Sequence, residues 1–153
     1  MYTIRVALRD EAPLLSEIAF RSKSHWGYGP EYMEKFRAEL KINPADFDSG
    51  LTKVVLADSE PIGFYSLYGE GQGAGRLTDL FVEPAFIGKG VGRRLWDAAI
   101  DQARRLGFKT LEIHSDPHAE GFYVRMGASR IGMVPSGSIP GRELPKMIMR
   151  VKD

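Results

Sequence analysis

The sequence predicts a mixed α/β fold, a mostly antiparallel sheet with one central parallel β-α-β crossover. Three observations predict it. Residues 76–83 form a half-apolar strand that stops at Pro84. A glycine-rich turn, Gly88-Lys89-Gly90-Val91-Gly92, runs straight into an amphipathic stretch, and another apolar strand follows at 109–115. Strand, helix and strand then form a right-handed crossover with its strands parallel. The remaining strands sit in hairpin positions, which favour antiparallel pairing.

The elements follow in order. Residues 2–8 alternate, with Ile4, Val6 and Leu8 on one side, and read as a strand. Asp10 is a candidate N-cap for a helix that places Leu14, Leu15, Ile18 and Ala19 on one face. Residues 24–30, which include His25, Trp26 and Tyr28, break that helix. A second helix is expected over 30–42, with Tyr32, Phe36 and Leu40 at four-residue spacing, and Asn43-Pro44 ends it. Strands near 51–57 and 62–68 form a hairpin about the turn at 58–61. Residues 69–75 hold four glycines and read as a mobile turn. The third helix, over 90–106, buries Val91, Leu95, Ala98, Ala99, Ala103 and Leu106, and Gly107 caps it. Asp116-Pro117 opens a short helix that carries Phe122, Tyr123 and Met126 and stops at Gly127. Strands near 128–134 and 145–151 flank a polar loop at 135–142. With no repeat and no linker, residues 1–153 read as a single domain.

Composition narrows the function. The formal charge is +1, with 21 basic and 20 acidic residues, so no basic stripe points to nucleic acid or to a membrane surface. No cysteine is present, which removes disulfides, thiolate metal sites and a cysteine acyl carrier. His25, His114 and His118 are not spaced as a metal set, so no metal is expected. The start of the chain has neither a basic nor an apolar leader region, and a cytoplasmic setting is the expectation.

The glycine turn is the main chemical signal. Backbone N–H groups at a helix N-terminus, at the positive end of its dipole, make a site for phosphate. Two familiar phosphate loops do not match. The dinucleotide fingerprint puts glycines at relative positions one, three and six, and here the sixth is Arg93. The Walker loop needs a glycine where this chain has Glu83, and no Ser or Thr follows Lys89. The turn is an anion-binding strand–turn–helix of a third kind.

Gly88, Gly90 and Gly92 after a proline-terminated strand, followed by His118-Ala119-Glu120-Gly121-Phe122-Tyr123, resemble the two motifs of the GNAT superfamily of acyl-CoA-dependent N-acetyltransferases. The resemblance covers nearly the whole chain. Two positions depart from the pattern: Ile87 stands where Arg or Gln is usual, and His118 where Asn is common. The resemblance implies the GNAT-like acyl-CoA N-acyltransferase fold, with acetyl-CoA as co-substrate and a small-molecule primary amine as acceptor. It implies a pyrophosphate held at Gly88, Lys89, Gly90, Val91, Gly92 and Arg93, beside Ile87, with Lys89, Arg93 and Arg94 adding charge or remaining solvated. It implies a strand bulge that frees the main chain of Leu80, Phe81 and Val82 for the pantetheine arm, with His118 and Phe122 at the cofactor cleft and the Tyr123 hydroxyl on the thiol side. Tyr123 takes the place of the general acid. Asp79 is the chosen general base, with Glu83, Glu112 and a water relay as alternatives. His25, Trp26 and Tyr28 would shape the acceptor pocket, and Arg142 would meet a substrate carboxylate. A catalytically inactive acetyl-CoA sensor or scaffold is the other reading, and a free edge strand near the C-terminus is compatible with a homodimer.

Overall fold

The computed structural model describes residues 1–152. Seven strands form one sheet: β1 (Tyr2–Val6), β2 (Thr52–Ala57), β3 (Glu60–Gly71), β4 (Ala74–Val82), β5 (Thr110–His114), β6 (Ser129–Pro135) and β7 (Glu143–Arg150). Their order is β1-β2-β3-β4-β5-β7-β6. Only β4 and β5 pair in parallel, as the crossover requires. The helices are α1 (Ala12–Ser24), α2 (Pro30–Glu39), α3 (Val91–Arg105) and α4 (Glu120–Arg125).

Each sheet face has its own cover. Helix α3 buries Val91, Leu95, Trp96, Ala99 and Ala103 in the cluster that holds Tyr65, Leu77, Leu111, Ile113 and Met147. Strand alternation turns Val54 and Phe64 to the other face, where they meet Leu15, Ile18 and Ala19 of α1. Met33 and Phe36 of α2 form a smaller cluster with Ile139. That contact brings the loop between β6 and β7 over to α2.

Several local expectations shift, each for a visible reason. A 3-10 turn, Arg9–Glu11, precedes α1, and it is Glu11, not Asp10, that accepts the Leu8 N–H at 2.8 Å. Arg5 clamps the same carboxylate at 2.8 and 2.9 Å and holds its pKa below the usual range. In α1, Ala12 is buried and Leu14 is 40% exposed. Helix α2 stops at Glu39, three residues early, and buries Met33 where Tyr32 was expected. Helix α3 buries Trp96 and leaves Leu106 exposed as its C-cap residue. The glycine-rich segment is a tight hairpin: β3 runs to Gly71, β4 starts at Ala74, and Gln72 and Gly73 turn with φ of 54° and 78°. The sheet edges are β1 and β6, and the C-terminal strand β7 lies inside.

Two irregularities position the site. Strands β4 and β5 pair only from Ala74–Thr110 to Leu77–Ile113. Beyond that they part. At the same point the β3–β4 register shifts, because Ser66 pairs Asp79 and Leu67 pairs Leu77, leaving Thr78 as the extra residue of a bulge.

Candidate active site

Where β4 and β5 separate, a cleft of about 670 Å³ opens. Its floor is residues 77–82 of β4, and its far wall carries Ile113 and His114 of β5 and Phe122 and Tyr123 of α4. Ser22, Lys23 and Trp26 from α1 and its following residues close one end, and Glu39 and Leu40 add the end of α2. On the β5 side, the main chain of Leu80, Phe81 and Val82 has no ladder partner, since the parallel pairing has ended. Their side chains pack inward: Val82 is buried, and Phe81 lies 5.7 Å from the Phe64 ring.

The glycine turn forms the other end of the cleft. Gly88 and Gly90 have φ of 82° and 83°, a region that suits glycine and strains other residues. A Cβ at either position would meet nothing within 4 Å, so the turn faces open space. The helical ladder begins with Arg94 N–H to Gly90 C=O at 3.1 Å, which leaves the amides of Val91, Gly92 and Arg93 ahead of it. Ile87, Gly88, Gly90, Gly92 and Arg93 line the cleft. Lys89 and Val91 do not: the Lys89 ammonium lies 5.5 Å from the Phe86 ring centre, and Val91 is in the core. Arg94 turns to β1 and donates to the Tyr2 carbonyl at 3.2 Å.

Asp79 and Tyr123 share the cleft. Asp79 opens onto it but is otherwise enclosed, and this desolvation raises its pKa to about 6, against the stabilising hydroxyls of Ser66 and Thr78. The charges of Asp46 and Glu39 push the same way. Tyr123 packs against Trp96 and Phe122, with ring centres 5.8 and 5.3 Å away. Burial raises its pKa far above the normal phenol value, and the charges of Asp79 and Asp116 add to the effect. Its hydroxyl makes no hydrogen bond among the described residues. Burial thus keeps the Tyr123 hydroxyl protonated at neutral pH.

The other carboxylates considered as bases have different duties. Glu83 is held by Arg21 in a two-point pair at 2.6 and 2.8 Å, which ties α1 to the end of β4. Glu112 meets His114 Nε2 at 2.7 Å and is kept below its usual pKa by His114, Lys146 and Arg76, although burial opposes them. Arg76 lies 3.0 Å from His114 Nδ1, so that nitrogen is the acceptor and Nε2 carries the hydrogen toward Glu112.

The aromatic segment after α1 is well ordered by contacts. Trp26 stacks on His118, centres 5.4 Å apart and planes 7° apart, and both line the cleft. His25 stands edge-on to Trp26 and is exposed. Tyr28 and Arg142 lie behind the cleft wall, where they bond to each other and to Asp116. Sequence reasoning did not single out Asp116 beyond its helix-start role, nor Lys23, Glu39 or Leu144 at the cleft. Their partners are remote in the chain and no local pattern marks them.

No match is found among curated proteins. The sequence profile of the acetyltransferase (GNAT) family matches residues 14–128. This chain belongs to the GNAT acetyltransferase family. Solved GNAT structures share its fold. The PaiA N-acetyltransferase of Thermoplasma acidophilum, in complex with coenzyme A, superposes with a TM-score of 0.81 at 20% identity, over 98% of this chain and 99% of that one. The ribosomal-protein-S18-alanine N-acetyltransferase of Escherichia coli gives 0.71 at 18% identity, over 100% and 96%. YncA of Salmonella typhimurium, with its cofactor acetyl-CoA, gives 0.69 at 22% identity, over 100% and 95%. The mixed sheet and its central parallel pair are therefore those of the GNAT fold. Among the described residues, no three His, Asp or Glu side chains group as metal ligands would, and no helix is long and apolar enough to cross a membrane.

Proposed function

We propose that this GNAT domain moves an acetyl group from acetyl-CoA to a primary amine of a small molecule, by direct attack in a ternary complex. The observation that carries this reading is the open fork between β4 and β5, ending at the glycine turn. The fork suits the ligand chemically. Free strand amides and carbonyls match a peptide-like arm, and the amides ahead of α3 match a pyrophosphate. Coenzyme A and acetyl-CoA in complexes of two proteins of the same fold support the choice of ligand.

Acetyl-CoA supplies a thioester whose carbon takes the amine and whose sulfur leaves. The N–H groups of β4 beyond the bulge stabilise negative charge on the carbonyl oxygen. Asp79, ionised above about pH 6, accepts the amine proton. Tyr123 donates its hydroxyl proton to the departing sulfur. Trp26 and His118 give the amine end an aromatic wall. With no cysteine in the chain, no thiol is available to carry the acetyl group between steps.

Thiol release over a broad panel of amines tests the reading, together with calorimetry of acetyl-CoA binding. Release with at least one amine is expected. Gly90→Asp places a carboxylate at the phosphate cradle and should weaken acetyl-CoA binding by about 10-fold or more, as a misplaced like charge costs upward of 1.4 kcal/mol. Unchanged affinity in that variant would remove the cofactor placement. Tight acetyl-CoA binding with no release on any amine would favour the sensor or scaffold reading.

A further inference from the structure

We infer that Asp116 is a positioning residue: its carboxylate locks the aromatic acceptor wall against the helix that carries Tyr123. The inference rests on the reading that this end of the cleft receives the amine. Four segments converge on the one carboxylate. Lys23 at the end of α1 places its ammonium 2.8 Å from Oδ2, and the Tyr28 hydroxyl donates to the same oxygen at 2.9 Å. The His118 backbone N–H reaches Oδ1 at 2.8 Å and its Nδ1 reaches Oδ1 at 2.9 Å. Arg142, from the loop before β7, lies 3.6 Å from Oδ2 and donates to the Tyr28 hydroxyl.

The chemistry fixes the geometry. An ionised carboxylate only accepts, so His118 Nδ1 carries the hydrogen and its ring is pinned in plane. That pinned ring is the surface on which Trp26 stacks. The side chains of Lys23, Asp116 and Arg142 are only 13%, 11% and 13% exposed. Asp116 is burdened by desolvation, yet the Lys23 charge and hydrogen bonds from Lys23, the His118 backbone and Tyr28 outweigh it and bring its pKa to about 2. It therefore stays ionised at all physiological pH. Lys23 and Arg142 also rest on the Phe36 ring, 4.7 and 5.4 Å from its centre, which extends the lock to α2. Asp116 itself precedes Tyr123 by only seven residues, through a 3-10 turn and the first residues of α4. Acceptor wall and acid helix thus share one anchor.

The test compares Asp116→Asn and Tyr28→Phe with the wild-type protein. Losing charge-assisted hydrogen bonds should raise the amine KM by about 10-fold to 100-fold in Asp116→Asn, with a smaller rise in Tyr28→Phe. The acetyl-CoA dissociation constant should move less than about threefold, since the glycine turn and the β4 edge are untouched. Acrylamide quenching of tryptophan fluorescence provides a readout independent of turnover. Trp96 is 3% exposed and shielded, so a gain in quenching reports a loosened Trp26. Increased quenching with an amine-specific KM effect supports the lock. Unchanged quenching, or a defect confined to acetyl-CoA affinity, overturns it. Should Asp116→Asn fail to fold, Tyr28→Phe keeps the carboxylate and decides the matter by the same readings. If no amine is acetylated by the wild-type protein, the proposed function fails, whereas the quenching comparison still judges the anchor.

Discussion

Tyr123→Phe separates chemistry from stability with unusual clarity in this fold. The substitution removes one oxygen and keeps the ring, so the contacts with Trp96 at 5.8 Å and Phe122 at 5.3 Å persist. The lost hydroxyl has no hydrogen-bond partner among the described residues. No bond is broken, and a partly desolvated hydroxyl is removed, so unfolding free energy should change by less than about 1 kcal/mol. A general acid, by contrast, contributes about 10²- to 10⁴-fold to rate, or roughly 3–5 kcal/mol of barrier. The variant should melt near the wild-type temperature, bind acetyl-CoA with similar affinity, and release thiol at least about 100-fold more slowly. Thermal melts, calorimetry and a stopped thiol assay read the three quantities. A wild-type rate would refute the acid assignment. A large fall in melting temperature would show instead that the hydroxyl holds the helix in place.

Two further outcomes follow from the same region. Asp79 has a folded pKa of about 6, above its ordinary value of 3.8, so the folded state holds the proton more tightly than the unfolded chain. Stability is then greatest at low pH with respect to this group and declines by about 2 kcal/mol as pH rises from about 4 to 6. Asp79→Asn should abolish that decline in urea titrations across the window and lower kcat by about 100-fold, while wild-type activity climbs toward a plateau above pH 6. A wild-type pH profile flat between about 5 and 7, roughly one unit either side of that pKa, would exclude Asp79 as base. Gly63→Ala builds a Cβ 2.8 Å from the Phe81 carbonyl oxygen and 3.2 Å from Val55 Cγ1, so β3 and β4 must shift. A loss of about 1–3 kcal/mol in urea unfolding is expected, and a neutral result would mean the sheet yields there freely.

Much of this architecture is legible in the chain because periodicity reports burial directly. The spacing of Val91, Leu95, Ala99 and Ala103 in α3 locates its core face without tertiary knowledge, whereas of the expected β1 stripe only Ile4 packs on the core and Val6 and Leu8 are exposed at the sheet edge. The glycine turn is equally readable, since three glycines after a proline-ended strand serve backbone approach more than packing. What escapes is whatever depends on distant partners. Leu14 looks like a core residue by spacing, but the helix begins with a buried Ala12 and rolls Leu14 outward. Leu106 fits the α3 pattern, yet as the C-cap it lies past the last packed turn, and Trp96 fills the core in its place. The Asp116 anchor unites residues 88, 90 and 114 positions apart along its hydroxyl and guanidinium links. No local window contains them. The bulge at Thr78 is intermediate: the resemblance implied one, but only the registers place it.

Four residue pairs join β4 to β5 before the strands diverge. Within the sheet itself, this short seam is all that joins β1–β4 to β5–β7 in the backbone ladder; helix α3 and side-chain contacts such as the Asp116 anchor tie the two rafts elsewhere. Anything that lodges in the fork touches both rafts and supplies the cross-ties the backbone forgoes. The occupant becomes a temporary strand of the sheet, so filling the fork stiffens the whole molecule rather than one wall of it.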